Sequence, residues 1–349
     1  MRMHHTLPAL AVSATLLGAC ATANATDTSP PAPSTPVGQA PKPANRPVAA
    51  AQIFAEPTVL TPRGTLVIEP DVQYVHSTNN QVALLGYTVL PALTIGLIDI
   101  QRIESNLSTF SLTARYGLLS RLELDVRVPY VLENTATQTR PLATAAVANS
   151  FFNSAGNGLG DVEVALRTQL NAFRGNNMVW IASLRLKSRT GTSIFQEPID
   201  PASGLQTRLA TGSGFYAVQP GITFLMPSDP AVFFGGAAYT YSIGRNVGHG
   251  YGYIHPGGII DLTLGMGLTL NERASFSIGY QQSIVNPTGQ TTPASGLALA
   301  QVGTLQLGTL RFGVTYQVNP KTLLNVTIGI GVTRDTPDLE ATMRLPVTF

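Results

Sequence analysis

The 349-residue chain is 44% hydrophobic but only 11% charged, less than half the charged share of about 25% in ordinary soluble domains, which argues against a plain cytosolic enzyme. A formal net charge of +2 supplies neither the basic surface that nucleic acid needs nor an acidic tail. One cysteine excludes an intramolecular disulfide, and 33 glycines and 25 prolines dilute the apolar residues too far for helical membrane spans.

In chain order, residues 1–25 have the pattern of a signal peptide: Arg2 gives a positive start, 7–17 is apolar, and small residues follow. Two cleavage patterns compete there. Leu17-Gly18-Ala19-Cys20 is a lipobox that would make Cys20 a lipidated N-terminus, whereas Ala23-Asn24-Ala25 suits ordinary signal peptidase. Residues 26–49, rich in Pro, Ala, Ser and Thr, cannot bury enough apolar area to offset ordering and read as a disordered linker. A short pre-barrel segment, 50–63, comes next. The stretch VAAAQIFAE (48–56) suits about two helical turns, and its only large apolar groups, Ile53 and Phe54, make it a candidate plug.

From Gly64 to the last residue the period is two. Leu122, Leu124, Val126, Val128 and Tyr130 alternate with Arg121, Glu123, Asp125 and Arg127, and Leu339, Ala341, Met343, Leu345, Val347 and Phe349 with Glu340, Thr342, Arg344, Pro346 and Thr348. A strand sends these sets to opposite faces, one of them wholly apolar. Connections alternate in length. Short ones at 117–121, 174–177, 227–230, 271–273 and 319–321 take turns with long ones at 134–157, 190–210, 245–257 and 287–302. Tight turns at one end and long loops at the other are the pattern of a transmembrane barrel.

The fold expected is therefore all-β: an antiparallel up-and-down transmembrane β-barrel over 64–349, with strands at 64–77, 108–117, 121–132, 160–173, 178–189, 214–226, 231–244, 259–270, 274–284, 305–318, 323–333 and 339–349. An even number returns both termini to the periplasm. Residues 81–106 are unplaced, either an outer hairpin or helix at the mouth or two further strands making 14 in all. Phe349, Tyr116, Phe173 and Phe224 near the turn ends, with Tyr74, Tyr130, Tyr241 and Tyr280 near the loop ends, are candidate interfacial girdles.

Function should be written on the inner faces, and these differ. One wall would carry Arg115, Arg121, Glu123, Asp125, Arg127, Asp161, Glu163, Arg167, Arg185, Lys187 and Arg189; the other is mainly Gly, Ser and Thr, with Arg311 the exception. Either the charges pair across strands and hold the barrel's shape, or the smooth wall leaves room for a plug or cargo whose polar groups the charged wall binds. Signs of catalysis are weak. Gly156-Asn157-Gly158-Leu159-Gly160 leads into an alternating strand and not a helix, so it is no phosphate loop, and His76, His249 and His255 lack metal-ligand spacing. The chain reads as no enzyme, with no cofactor and no metal.

The segments EPTVLTPRGTLVIEPDVQYVHSTNN (56–80), ARYGLLSRLELDVRVPY (114–130), GNGLGDVEVALR (156–167), PSDPAVFFGG (227–236) and the ending RLPVTF resemble the bacterial outer-membrane barrels grouped as meta-pathway phenol-degradation-like transporters. Within that group they look closest to the barrels of functional-amyloid (Fap) export systems. The resemblance implies twelve strands, a helix before the barrel that plugs the lumen, a trimerising N-terminal coiled coil, and export of unfolded amyloid subunits. Prolines at 30, 31, 33, 36, 41, 43 and 47 forbid a continuous heptad helix where that coiled coil would stand.

The expected role is a passive outer-membrane channel, N-terminus periplasmic, translocating an extended peptide or a small hydrophobic or aromatic molecule. The rival is a structural or anchoring barrel with a closed lumen, and a remoter one an outer-membrane hydrolase. Partners would be outer-membrane lipid and lipopolysaccharide, the barrel-assembly machinery, the unidentified cargo and, where barrels associate, a homo-oligomer.

Overall fold

The computed structural model describes residues 60–78, 98–141, 150–172, 178–198, 206–228, 231–248, 250–291 and 303–349. The segment expected to be a signal peptide, with Cys20, the segment expected to be a linker, the 48–56 segment with Ile53 and Phe54, residues 79–97, Phe173 and His249 lie outside the described residues.

Strands β1 (Leu66–Ser77), β2 (Ile98–Leu119), β3 (Leu122–Pro141), β4 (Ser150–Leu159), β5 (Glu163–Gln169), β6 (Val179–Lys187), β7 (Ala217–Ser228) and β8 (Ala231–Ser242) make the first part of the wall. After β9 (Arg245–Asn246) and β10 (Tyr253–His255) come β11 (Ile259–Thr269), β12 (Ala274–Val285), β13 (Gly289–Thr291), β14 (Leu305–Asn319), β15 (Thr322–Gly331), β16 (Leu339–Arg344) and β17 (Val347–Thr348). β4 and β5 pair with successive stretches of β3, and β16 and β17 with successive stretches of β1, so each couple is one interrupted barrel strand. The result is a closed 12-strand antiparallel barrel, sealed where the last strand meets β1 through Asp71↔Arg344 and Ile68↔Val347. The 14-strand alternative is thereby corrected: residues 98–106 extend β2 and pair with the upper part of β3.

Two further expectations change. The loop foreseen at 134–157 is largely paired, with β3 and β4 matched from Tyr130↔Leu159 to Thr139↔Ser150. Polar strands such as these carry no apolar face to betray them. β2 has 22 residues and β3 20, whereas a bilayer needs about 9–11 per strand, so this part of the wall extends past any membrane. The strand foreseen at 160–173 instead starts at Ser150 and breaks at residues 160–162.

Asparagines close the tight turns. Asn271 Oδ1 accepts from the backbone of Arg273 (2.9 Å) and Ala274 (2.8 Å), Asn319 Oδ1 from Lys321 (2.9 Å), and Asn171 Oδ1 from Trp180 (2.8 Å). The apolar set points outward: Val72, Leu112, Val128, Leu166, Leu184, Ile222, Leu264, Val314, Ile328 and Met343 are all exposed. So continuous an apolar surface is uncommon on a soluble monomer and is what a lipid-facing band requires. Tyr116, Trp180 and Phe349 are exposed at the turn end, and Tyr74, Tyr130, Tyr241 and Tyr280 toward the loop end. The interior is polar instead. Asn325 Nδ2 donates to Thr315 Oγ1 (2.8 Å) and Thr327 Oγ1 to Asn325 Oδ1 (3.2 Å), all three buried.

Candidate functional site

Strand register puts Glu69 and Asp71 of β1, Arg115 of β2, Glu123, Asp125 and Arg127 of β3, Glu163 and Arg167 of β5, and Arg185 and Lys187 of β6 on the inner face. They hold one another. Arg115 pairs with Glu69. Arg127 lies 3.4 Å from Asp71 and donates to Ser111 Oγ at 2.9 Å. Arg167 pairs with Asp125 and donates to Glu123 Oε1 at 3.1 Å, while Arg185 and Glu163 are 3.9 Å apart. Buried charges persist only when so matched. On the other side of the β1–β16 seam Arg311 of β14 donates to Glu340 of β16 at 2.6 Å, passing across β15. Gly329 makes that crossing feasible, because a Cβ there would sit 3.3 Å from Glu340 Cβ and 3.0 Å from Thr309 Cγ2.

Two expected lumen residues are elsewhere. Arg121 is exposed in the β2–β3 turn, and Arg189 is exposed beyond the end of β6, its guanidinium 5.2 Å from the centre of the Tyr216 ring. Both kept the inward parity of their strands, but the chain leaves the sheet before reaching them. Asp161 has a different task from lining open lumen. The break at 160–162 buries its carboxylate completely, where it accepts from Gly191 N (3.1 Å), Ser213 N (2.9 Å) and Ser213 Oγ (2.7 Å), with Lys187 Nζ 3.7 Å away. Lys187 Nζ also donates to Ser213 Oγ at 2.9 Å. The connection 188–216 is thus pinned back onto the inner wall. Phe195 and Phe215 from it pack with Val247, Tyr251 and Ile254 of the next connection in a buried cluster, the Phe195 ring 5.3 Å from Tyr251 and 6.0 Å from Phe215. Burial pushes the Tyr251 phenol above its ordinary pKa.

The turn end is also occupied. Leu60 packs against Val179, Ile181, Leu225 and Phe234 of the β6–β8 wall, while the next amide, Thr61 N, donates to Glu123 Oε2 of β3 at 2.6 Å. Residues 60–64 therefore run from one wall to the other before β1 begins. On the glycine-rich wall the Phe234 ring lies over Gly265, where a Cβ would be 2.6 Å from Phe234 Cε2.

Between these ends lies a cavity of about 290 Å³. Asp71, Arg127, Arg185 and Lys187 line one side, and Gln219, Gly236, Ala238 and Thr263 the other. Sequence reasoning missed Glu69, Asp71, Asp261, Glu340 and Arg344 in this lining, although each sits at an inward position of an alternating strand. In β1, Val67 and Val75 share the face of Glu69 and Asp71 and hid the pattern there. The histidines make local contacts: His76 Nδ1 is 2.8 Å from Asn106 Oδ1, and the His255 ring is 4.5 Å from that of Tyr253. Among the described residues no group of three or more His, Cys, Asp or Glu could hold a metal ion.

This geometry defines a closed barrel of the outer-membrane type, with an apolar outside and a charged, partitioned inside. No family model matches the chain. The COG4313 outer membrane channel from Pseudomonas putida F1 superposes with a TM-score of 0.57 at 15% identity, over 85% of this chain and 100% of that one, a likeness of fold. The translocator domain of the autotransporter NalP from Neisseria meningitidis (TM-score 0.41, 9% identity, 83% and 89% covered) and the Pseudomonas putida toluene transporter TodX (0.38, 13%, 82% and 89%) are more distant barrels and carry no argument.

Proposed function

We propose that this chain is a bacterial outer-membrane channel, N-terminus periplasmic, that passes small molecules with an apolar or aromatic body and a polar group. The single observation that carries the reading is the cavity of about 290 Å³, close to the lower limit of about 300 Å³ for small-molecule sites, lying between the segment 60–64 at the turn end and the aromatic cluster at the loop end. In it Asp125, Arg127, Glu163, Arg185 and Lys187 meet the cargo's polar group, with Arg115, Glu123 and Arg167 holding them in place and Asp161 holding the outer closure; the small residues of the far wall face its apolar body. Outer-membrane lipid, lipopolysaccharide, the barrel-assembly machinery and, where barrels associate, further copies of the chain are the partners this role entails.

A second reading, export of an extended peptide as in the Fap-type barrels, is favoured by residues 60–64 crossing the turn end, a segment that would have to move aside for a peptide to pass. Single-channel recording and liposome swelling with the purified full chain separate the readings. Small, fluctuating conductance with swelling in benzoate and none with an unfolded peptide is expected. Peptide passage at a rate near that of benzoate would favour export, and silence toward every solute, even after removal of residues 26–63, would leave a closed anchoring barrel.

A further inference from the structure

Arg189 and Arg245 belong to different connections at the loop end of the barrel, yet they come to the same rim. Arg189 lies over Tyr216, and Arg245 lies 5.6 Å from the centre of the Phe215 ring, its Nε donating to Gly214 O at 2.8 Å. Two consecutive aromatic residues thus carry two guanidiniums, one on the exposed ring of Tyr216 and one on the buried ring of Phe215, near enough for Arg189 to act on Arg245. Among the described residues neither has a carboxylate partner, which sets them apart from the matched cations of the lumen. Arg245 also carries a lowered pKa, from partial burial first and the nearby positive charge of Arg189 second. Two like charges so fixed repel each other until an anion comes between them.

The surface below them is apolar and faces outward. Tyr216 is 51% exposed, Tyr241 55% and Ile243 48%, and the pairing of Ile243 N with Tyr216 O sets all three next to one another at the top of β7 and β8. A basic pair stacked on rings directly above a lipid-facing patch matches the build of a phospholipid or glycolipid: acyl chains against the patch, phosphate against the arginines. Guanidinium forks bind phosphate oxygens bidentately, and stacking holds them ready in that pose. We propose that Arg189 and Arg245 form a binding site for the phosphate group of a lipid in the outer leaflet, with Tyr216, Tyr241 and Ile243 against its chains. This rests on the outer-membrane placement and not on what the channel carries.

The test is native mass spectrometry of the full chain in detergent titrated with lipid A bearing both phosphates, with lipid A stripped of phosphate, and with inorganic phosphate as competitor. The intact chain should retain lipid A, and the Arg189→Gln, Arg245→Gln double variant should weaken binding several-fold, with Arg→Lys at both positions between the two. Arg273→Gln, an exposed arginine in a tight turn at the opposite end, should bind as the unaltered chain does. Equal retention of phosphate-free lipid A, or no loss in the double variant while it remains heat-modifiable, would overturn the site. Displacement by inorganic phosphate at the same concentration as lipid A would overturn the lipid as its occupant. A chain that never inserts into bilayers would instead overturn the membrane placement itself.

Discussion

Among the described residues Arg167 is the cation in contact with both Glu123 and Asp125, and all three are buried. Arg167→Met takes the contacting counter-charge from both carboxylates, leaving Asp125 only the more distant Arg185 and Arg115, and removing one partner of a buried pair costs about 3–5 kcal/mol. Urea unfolding should show a loss of that order, most of it recovered when Glu123→Gln and Asp125→Asn are added, since neutral groups need no cation; equal loss in the triple variant would mean that packing, not charge, is at stake. Asp161 is tied to the gate instead. Asp161→Ala strips Gly191 and Ser213 of their acceptor and should loosen the connection 188–216. Higher conductance and faster proteolysis within 188–216 are expected, and a variant gating like the parent would show that the aromatic cluster closes the mouth unaided. Both sites follow from inward parity in alternating strands, which the sequence displays. What parity does not display is the partner, because Asp161 meets Ser213 from 52 residues away.

At the scale of the element, each strand must present an apolar face to lipid. Leu264, 61% exposed in the middle of β11, is the plainest instance, and Leu264→Arg should cost about 2–4 kcal/mol if it lies near the bilayer midplane. The fraction of heat-modifiable protein after refolding into vesicles measures it, with Thr263→Arg, one residue along on the inner face, as the comparison; equal yields would contradict the assigned faces. Strand existence was legible wherever apolar residues alternated, and tight turns were legible from Asn271 and Asn319. The upper parts of β2, β3 and β4 were not, because a hairpin that stands clear of lipid has no apolar face to alternate with its polar one. The breaks at 160–162 and at Pro346 were equally hidden, since neither interrupts the alternation.

For the molecule as a whole, pieces of its own chain sit at both ends of the barrel, residues 60–64 at the turn end and the Phe195–Phe215–Tyr251 cluster at the loop end. Deleting residues 50–63 removes Leu60 and Thr61 but spares β1, which begins at Leu66. The barrel should stay heat-modifiable and conduct more, because the turn end loses the strap between Phe234 and Glu123. An unchanged conductance would assign closure to the outer cluster alone, and combining the deletion with Asp161→Ala would then add nothing beyond the single substitution.

The period of two, the alternation of short and long connections and the polar character of one face are local properties, and the sequence by itself determined from them an all-β barrel with charges inside. Only the tertiary structure decided that Arg311 reaches Glu340 over Gly329, that Phe234 fills the hollow above Gly265, and that Asp161 draws a distant loop into the mouth. The physical reason is closure. Bending the sheet until the last strand meets the first sets which inner faces confront each other, and those distances depend on strand number and tilt together, which no single segment of the chain carries.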